Sequence, residues 1–178
     1  MGELQDKLLR LTSLRYEMML QLTEAMKPEE HRQGDEAPLY LVGDPVARVL
    51  KCHLLTEVAL EKLLLLALEP NGEAVVSANL TYSKKLEIAS RCELVPEWEL
   101  IPSHIVGSLR RLNKLRNRLA HEFGATVSHE EAMGLFMGEK HPMPLDPDEA
   151  DVVLIIYHYT AFIFGNMLPK YEAVDQDV

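Results

Sequence analysis

Leu109-Arg110-Arg111-Leu112-Asn113-Lys114-Leu115-Arg116-Asn117-Arg118-Leu119-Ala120-His121-Glu122-Phe123 is the stretch whose spacing decides the fold. Leu109, Leu112, Leu115 and Leu119 recur at intervals of three and four, the period of a helix with one face in a core. At ~100° per residue, Asn117 and His121 fall far from that stripe, and four residues apart they share one ridge. Arg116 projects into the arc of Leu109 and Leu112. An unpaired buried guanidinium is strongly unfavourable, so this position calls for a partner. Two readings follow. Arg116 is a structural cation tied to a core carboxylate, with His121 exposed near a helix end; or the core holds Arg116 rigid beside Asn117 and His121 in a site.

The surrounding chain fits a single helical domain over residues 1–178. Its 178 residues suffice for a sizeable core. A composition of 47% hydrophobic and 26% charged residues is that of an ordinary globular chain. The net charge of −10 argues against indiscriminate binding to polyanions. Any nucleic-acid contact is confined to one surface, where Arg110, Arg111, Lys114, Arg116 and Arg118 crowd together. Cys52 and Cys92 form neither a metal-ligand spacing nor a disulfide framework, which suits a reducing cytoplasm. Met1-Gly2-Glu3-Leu4 lacks the basic and apolar regions of a signal peptide. Val152 to Leu168 is the most hydrophobic run, yet it is shorter than the ~20 residues that span a bilayer. It reads as a buried or interface helix, with no membrane partner expected.

The periodicity predicts an all-α, up-and-down bundle of about five to six helices. The first covers Glu3 to Met26, with Leu4, Leu8, Leu11, Met18 and Leu22 inward and Arg15 among them. Residues 27–43 carry Pro28, Gly34 and Pro38 and read as a connection. Asp44-Pro45 starts the second helix, which runs to about Leu68. Its arc holds Val46, Val49, Leu50, Leu60, Leu64 and Leu68, and also His53, Glu57 and Glu61. Polar residues on a core-facing stripe are informative. Glu57 or Glu61 is the expected partner of Arg116 across the helix packing, and His53 reads as a satisfied core histidine. Leu63-Leu64-Leu65-Leu66 makes this helix apolar nearly all round, and therefore central.

Glu69-Pro70-Asn71-Gly72 is a stop. A shorter helix starts near Ser83 and is broken by Val95-Pro96-Glu97-Trp98, where Trp98 is expected to plug the core edge. The motif helix spans about Ser103 to His121 and is ended by Gly124. Ser128-His129-Glu130-Glu131 has capping-box spacing and opens a short helix to about Met137. Residues 138–147 form a second connection. Asp146-Pro147-Asp148-Glu149 caps a last helix that Pro169 stops, and residues 171–178 read as a frayed tail.

The histidines show neither H-E-x-x-H spacing nor a Cys/His pairing, so no metal or other cofactor is expected. There is no Gly-rich phosphate loop, no G-x-S-x-G elbow and no helix pair with a basic recognition helix.

Arg116-Asn117-Arg118-Leu119-Ala120-His121 resembles the R-x4-H signature of the HEPN superfamily, in its variant with asparagine after the arginine. His53-Leu54-Leu55-Thr56-Glu57 and Tyr82-Ser83-Lys84-Lys85-Leu86 resemble segments of HEPN proteins of the mannitol-repressor-like kind. The resemblance covers about Pro45 to Phe123. It implies Arg116 and His121 as an RNA-cleaving pair with Asn117 in support, and a homodimer that brings two motifs into one cleft. Arg110, Arg111, Lys114 and Arg118 would then bind RNA on the basic face. The chemistry is self-consistent without a metal, because the 2′-hydroxyl of RNA is an internal nucleophile. A histidine trades protons near neutral pH, and an arginine fork stabilises charge on phosphoryl oxygens.

Residues five apart on a helix point ~140° apart, so either the helix distorts before Gly124 or a second chain completes the site. Phe123 stands where toxins of the superfamily often carry tyrosine, which leaves no hydroxyl there for an antitoxin to modify. The rival expectation is a non-catalytic regulatory or interaction module of the mannitol-repressor-like kind, with the motif helix serving dimerisation or a protein partner.

Overall fold

The computed structural model describes residues 2–25, 43–95, 98–136 and 151–167. The fold is all-α, with seven helices among the described residues. They are α1 (Gly2–Ala25), α2 (Pro45–Ala67), α3 (Gly72–Val76), α4 (Tyr82–Ala89), α5 (Ser103–His121), α6 (His129–Gly134) and α7 (Val152–Met167). Between α4 and α5 a small antiparallel ribbon pairs β1 (Glu93–Val95) with β2 (Trp98–Glu99). The connections at 27–42 and 138–147, the stop signals Pro28 and Pro169, the cap at Asp146–Glu149, the Trp98 side chain and the tail lie outside the described residues.

Local chemistry sets each helix boundary. The Asp44 carboxylate accepts from the Val46 backbone N–H (3.0 Å), and Pro45 occupies the first turn, where its missing donor costs nothing. Thr81 caps α4 through its hydroxyl. Glu99 Oε2 accepts from Ser103 N (2.9 Å) at the start of α5. Gly124, with φ of 73°, turns the chain away just beyond it. Ser128 and Glu131 close the reciprocal box that opens α6.

α2 is central, packing against α1, α3, α4, α5 and α7. Leu60, Leu63 and Leu64 are fully enclosed there by Leu11 and Met18 of α1, Leu109 and Leu112 of α5, and Ile155, Tyr159, Ile163 and Phe164 of α7. Burial of each such side chain is worth roughly 1.5–3 kcal/mol. The expected stripe on α5 is observed, with Leu109, Leu112, Leu115 and Leu119 buried; on α1 Leu11, Met18 and Leu22 are buried and Leu8 is half-buried, while the Leu4 side chain lies outside the described residues. On α2 the arc narrows towards its start, where Leu50 is 38% exposed. Ion pairs Glu17–Lys62 and Arg10–Glu69 run α1 antiparallel to α2. No helix of the described residues is long and apolar enough to cross a membrane.

Two elements were not expected from the sequence. The stop at Glu69–Gly72 is followed at once by α3, which folds back on the end of α2. The β1–β2 ribbon replaces what read as a simple break. The α3 turn depends on Gly72, since a Cβ there would lie 2.7 Å from both Cα and O of Leu65. Backbone cannot yield as a flexible side chain does. Gly72→Ala should therefore lower unfolding stability by about 2 kcal/mol, and Tm by roughly 4–8 °C. Thermal and urea unfolding of the variant beside the parent protein check this.

Candidate functional site

α5 remains a regular helix through His121, with Glu122 N–H still bonded to the Arg118 carbonyl (3.0 Å). Asn117 and His121 are exposed on the ridge opposite the leucines. Arg116 is only half-buried, and its Nη1 donates to Asn117 Oδ1 (3.0 Å). Among the described residues it has no carboxylate partner.

Glu57 and Glu61 do not hold Arg116. They are taken by Lys85 of α4, whose Nζ donates to Glu57 Oε1 (2.9 Å) and Glu61 Oε1 (2.5 Å). The reason is geometric. The two carboxylates stand one turn apart on α2, and α4 packs against that face with Lys85 reaching between them while only 6% exposed. Burial works against the ammonium charge, but the bonds to Glu61 and Glu57 outweigh it and raise the lysine's pKa. Without either carboxylate, the half-buried Arg116 directs its head to Asn117 instead.

A second polar chain crosses the same seam. His53 of α2 is buried, and its Nε2 lies 3.0 Å from Asn113 Oδ1. An amide oxygen only accepts, so Nε2 carries the proton. Asn113 Nδ2 in turn donates to Ser83 Oγ of α4 (3.0 Å). The His53 ring packs on Tyr82, with centroids 4.2 Å apart, and the Tyr82 hydroxyl bonds Thr56 Oγ1 (3.1 Å). This is the satisfied core histidine the sequence suggested. Desolvation lowers its pKa; the Asn113 bond opposes that and the nearby Arg116 charge reinforces it.

The five basic residues of α5 divide in two. Arg111 is spent on structure, donating from Nη2 (3.1 Å) and Nε (3.3 Å) to the Leu135 carbonyl. Ser108 Oγ donates to the same carbonyl (2.8 Å). Arg118 holds the turn after α5 through Glu131 (2.7 Å), Glu122 (3.2 Å) and the Thr126 carbonyl (2.8 Å). Both were expected to face RNA, and both are instead engaged with protein. Arg110, Lys114 and Arg116 make no salt bridge among the described residues, although Arg110 lies near enough to Glu87 for its charge to help lower that carboxyl's pKa. Arg110 and Lys114 line a groove of about 370 Å3 between α4 and α5, together with Ser83, Leu86, Asn113 and Asn117. Asn113 and Ser83 were missed as site residues, although Asn113 sits four before Asn117 on the same ridge.

Among the described residues no group of three or more His, Cys, Asp or Glu is placed to hold a metal ion. No protein-family model, curated protein or solved structure matches the chain.

Because the folded pKa of His53 lies below its ordinary 6.5, the unfolded chain binds more protons than the native one between those two values. Stability conferred by neutral His53 is therefore complete above about pH 6.5 and is lost as pH falls through the lowered folded value. Urea unfolding from pH 8 to pH 5 should show this loss. His53→Gln, which keeps a donor for Asn113 Oδ1 but cannot titrate, should flatten that part of the profile.

Proposed function

We propose that the protein is a HEPN-type endoribonuclease that cleaves RNA without a metal, its site completed by a second copy of the chain. One observation carries this reading. In a chain of net charge −10, Arg110, Lys114 and Arg116 make no salt bridge among the described residues, and they sit on one helix that also offers Asn117 and His121 to solvent. A surface kept uncompensated in this way suits a polyanion.

The chemistry follows from the groups. His121 takes the proton of a 2′-hydroxyl, and the resulting oxygen attacks the adjacent phosphorus. The bond to the 5′-oxygen breaks, and that oxygen receives a proton, leaving a 2′,3′-cyclic phosphate and a 5′-hydroxyl. Arg116 stabilises the charge on the phosphoryl oxygens. Asn117, already bonded to the guanidinium, holds its plane in place. An unbroken α5 sends Arg116 and His121 about 140° apart, which leaves assembly across two protomers as the way to join them. The fully exposed Phe123 beside His121, at 110% of its reference area, supports a covered surface at this end.

A second reading is a non-catalytic regulatory or protein-binding module of the mannitol-repressor-like kind. It is favoured by Leu9, Tyr16 and Leu20, which are exposed on the side of α1 opposite its core stripe.

Incubation of purified protein with mixed RNA in EDTA separates the two. Cleavage to cyclic-phosphate ends is expected, reduced about 100-fold or more in His121→Ala and comparably in Arg116→Ala. Mixed protomers of these two variants should recover activity that neither has alone. Undiminished cleavage by His121→Ala would remove the mechanism, and absence of cleavage by every form would favour the regulatory module.

A further inference from the structure

We infer that the groove between α4 and α5 is a phosphate-binding subsite, selective for an anionic ligand that only accepts hydrogen bonds. The inference rests on the RNA reading for the identity of the polymer, but its preference for phosphate comes from the groove itself.

Hydrogen bonds already made within the protein fix the polarity of the lining. Asn113 Oδ1 is occupied by His53 Nε2, and one of its N–H groups by Ser83 Oγ, so a second N–H remains. Ser83 Oγ, having accepted from Asn113, retains its own proton to donate. Asn117 Oδ1 is occupied by the Arg116 guanidinium, so its amide N–H groups remain. Arg110 and Lys114 have donors only. Five polar residues thus line the groove, and each has a donor left, while each amide oxygen already accepts one bond, so donors outnumber free acceptors. Glu87 of α4 is bonded to Lys84 (2.9 Å) and Arg91 (2.9 Å) and makes no salt bridge to Arg110, whose charge it also feels.

A nucleobase edge mixes donors and acceptors, and a carbohydrate presents hydroxyls that need acceptors. Neither suits such a lining; phosphate oxygens do. The volume, near the lower end of the ~300–1,000 Å3 common for small-ligand sites, suits a phosphate with its sugar. Arg110, Lys114, Asn117 and His121 lie on one ridge at helical spacing. A phosphate held in the groove therefore belongs to the same strand as the one presented to His121. Recognition at this subsite is of backbone, and is indifferent to base.

Calorimetric titration of the full chain with 5′-AMP, inorganic pyrophosphate, adenosine and a short 2′-deoxy oligonucleotide tests this. The deoxy strand binds without offering a 2′-hydroxyl to cleave. AMP and pyrophosphate are expected to bind and adenosine not. Lys114→Gln and Arg110→Gln should each weaken binding roughly tenfold. Each should also reduce the salt slope for the oligonucleotide by about 0.7. Lys51→Gln, which removes the same charge from the exposed side of α2, should change neither.

Tighter binding of the oligonucleotide than of AMP assigns the subsite to nucleic-acid backbone; equal binding assigns it to free phosphorylated metabolites. Adenosine binding as tightly as AMP, no binding of any anion, or an equal effect of Lys51→Gln would overturn the inference. The two proposals fail separately. Phosphate binding lost in Lys114→Gln without RNA cleavage by any form keeps the subsite and removes the nuclease. Cleavage without phosphate binding in the groove does the reverse.

Discussion

The seam where α4 meets α2 and α5 is closed by polar bonds, and the candidate site depends on that closure. Lys85 is enclosed between Glu57 and Glu61, while His53, Asn113 and Ser83 form a chain from α2 through α5 to α4. Apolar packing alone would let short α4 slide or rotate along its neighbours. Directional bonds to charged and amide groups fix its register, since each misplacement leaves a desolvated group unpaired. The ammonium is matched by more than one carboxylate, so the cluster keeps its charge despite its burial. This register brings Ser83 opposite Asn113, and so gives the groove its floor and its hydrogen-bond polarity.

Long helices were legible because their signals are redundant. α2 has Asp44 and Pro45 at its start and an apolar arc along its length, and α5 has four leucines at helical spacing before Gly124. Each boundary is specified twice, so the expected and observed spans agree within a residue or two. α3 had no such redundancy. Its existence depends on Gly72 approaching the Leu65 backbone, a tertiary contact that leaves no periodic trace in five residues. The β1–β2 ribbon is likewise too short for alternation to show.

The site was legible in part, and the error in it is instructive. Glu57 and Glu61 read from the sequence as carboxylates on an inward face that need a cation, and the structure supplies Lys85 rather than Arg116. Arg116 stood out because α5 is long enough to define an inward arc, whereas α4 has only eight residues and Lys85 could not be placed on a face by period alone. A flexible arginine at the margin of a leucine stripe can turn its head outward, so angular position fixed its Cβ and not its charge. Similarly, five basic residues in nine do not make one basic surface. Arg111 and Arg118 sit where a carbonyl and a capping glutamate reach them, contacts formed by a turn and a short helix that follow α5 in the chain.

The remaining three cations raise a question of economy. A chain with 28 acidic residues and 18 basic ones has carboxylates enough to neutralise every cation. On an exposed surface an ion pair contributes little stability, so stability neither requires nor forbids leaving Arg110, Lys114 and Arg116 without a salt bridge among the described residues. What the arrangement changes is the local field. Mutual repulsion among cations on one ridge is tolerable in water and would be relieved by an anion, which is the physical basis of the proposed phosphate subsite. The two arginines engaged with protein make the same point from the other side. They hold the turn beyond His121 and the segment under α5, and so keep rigid the helix on which the other three are displayed.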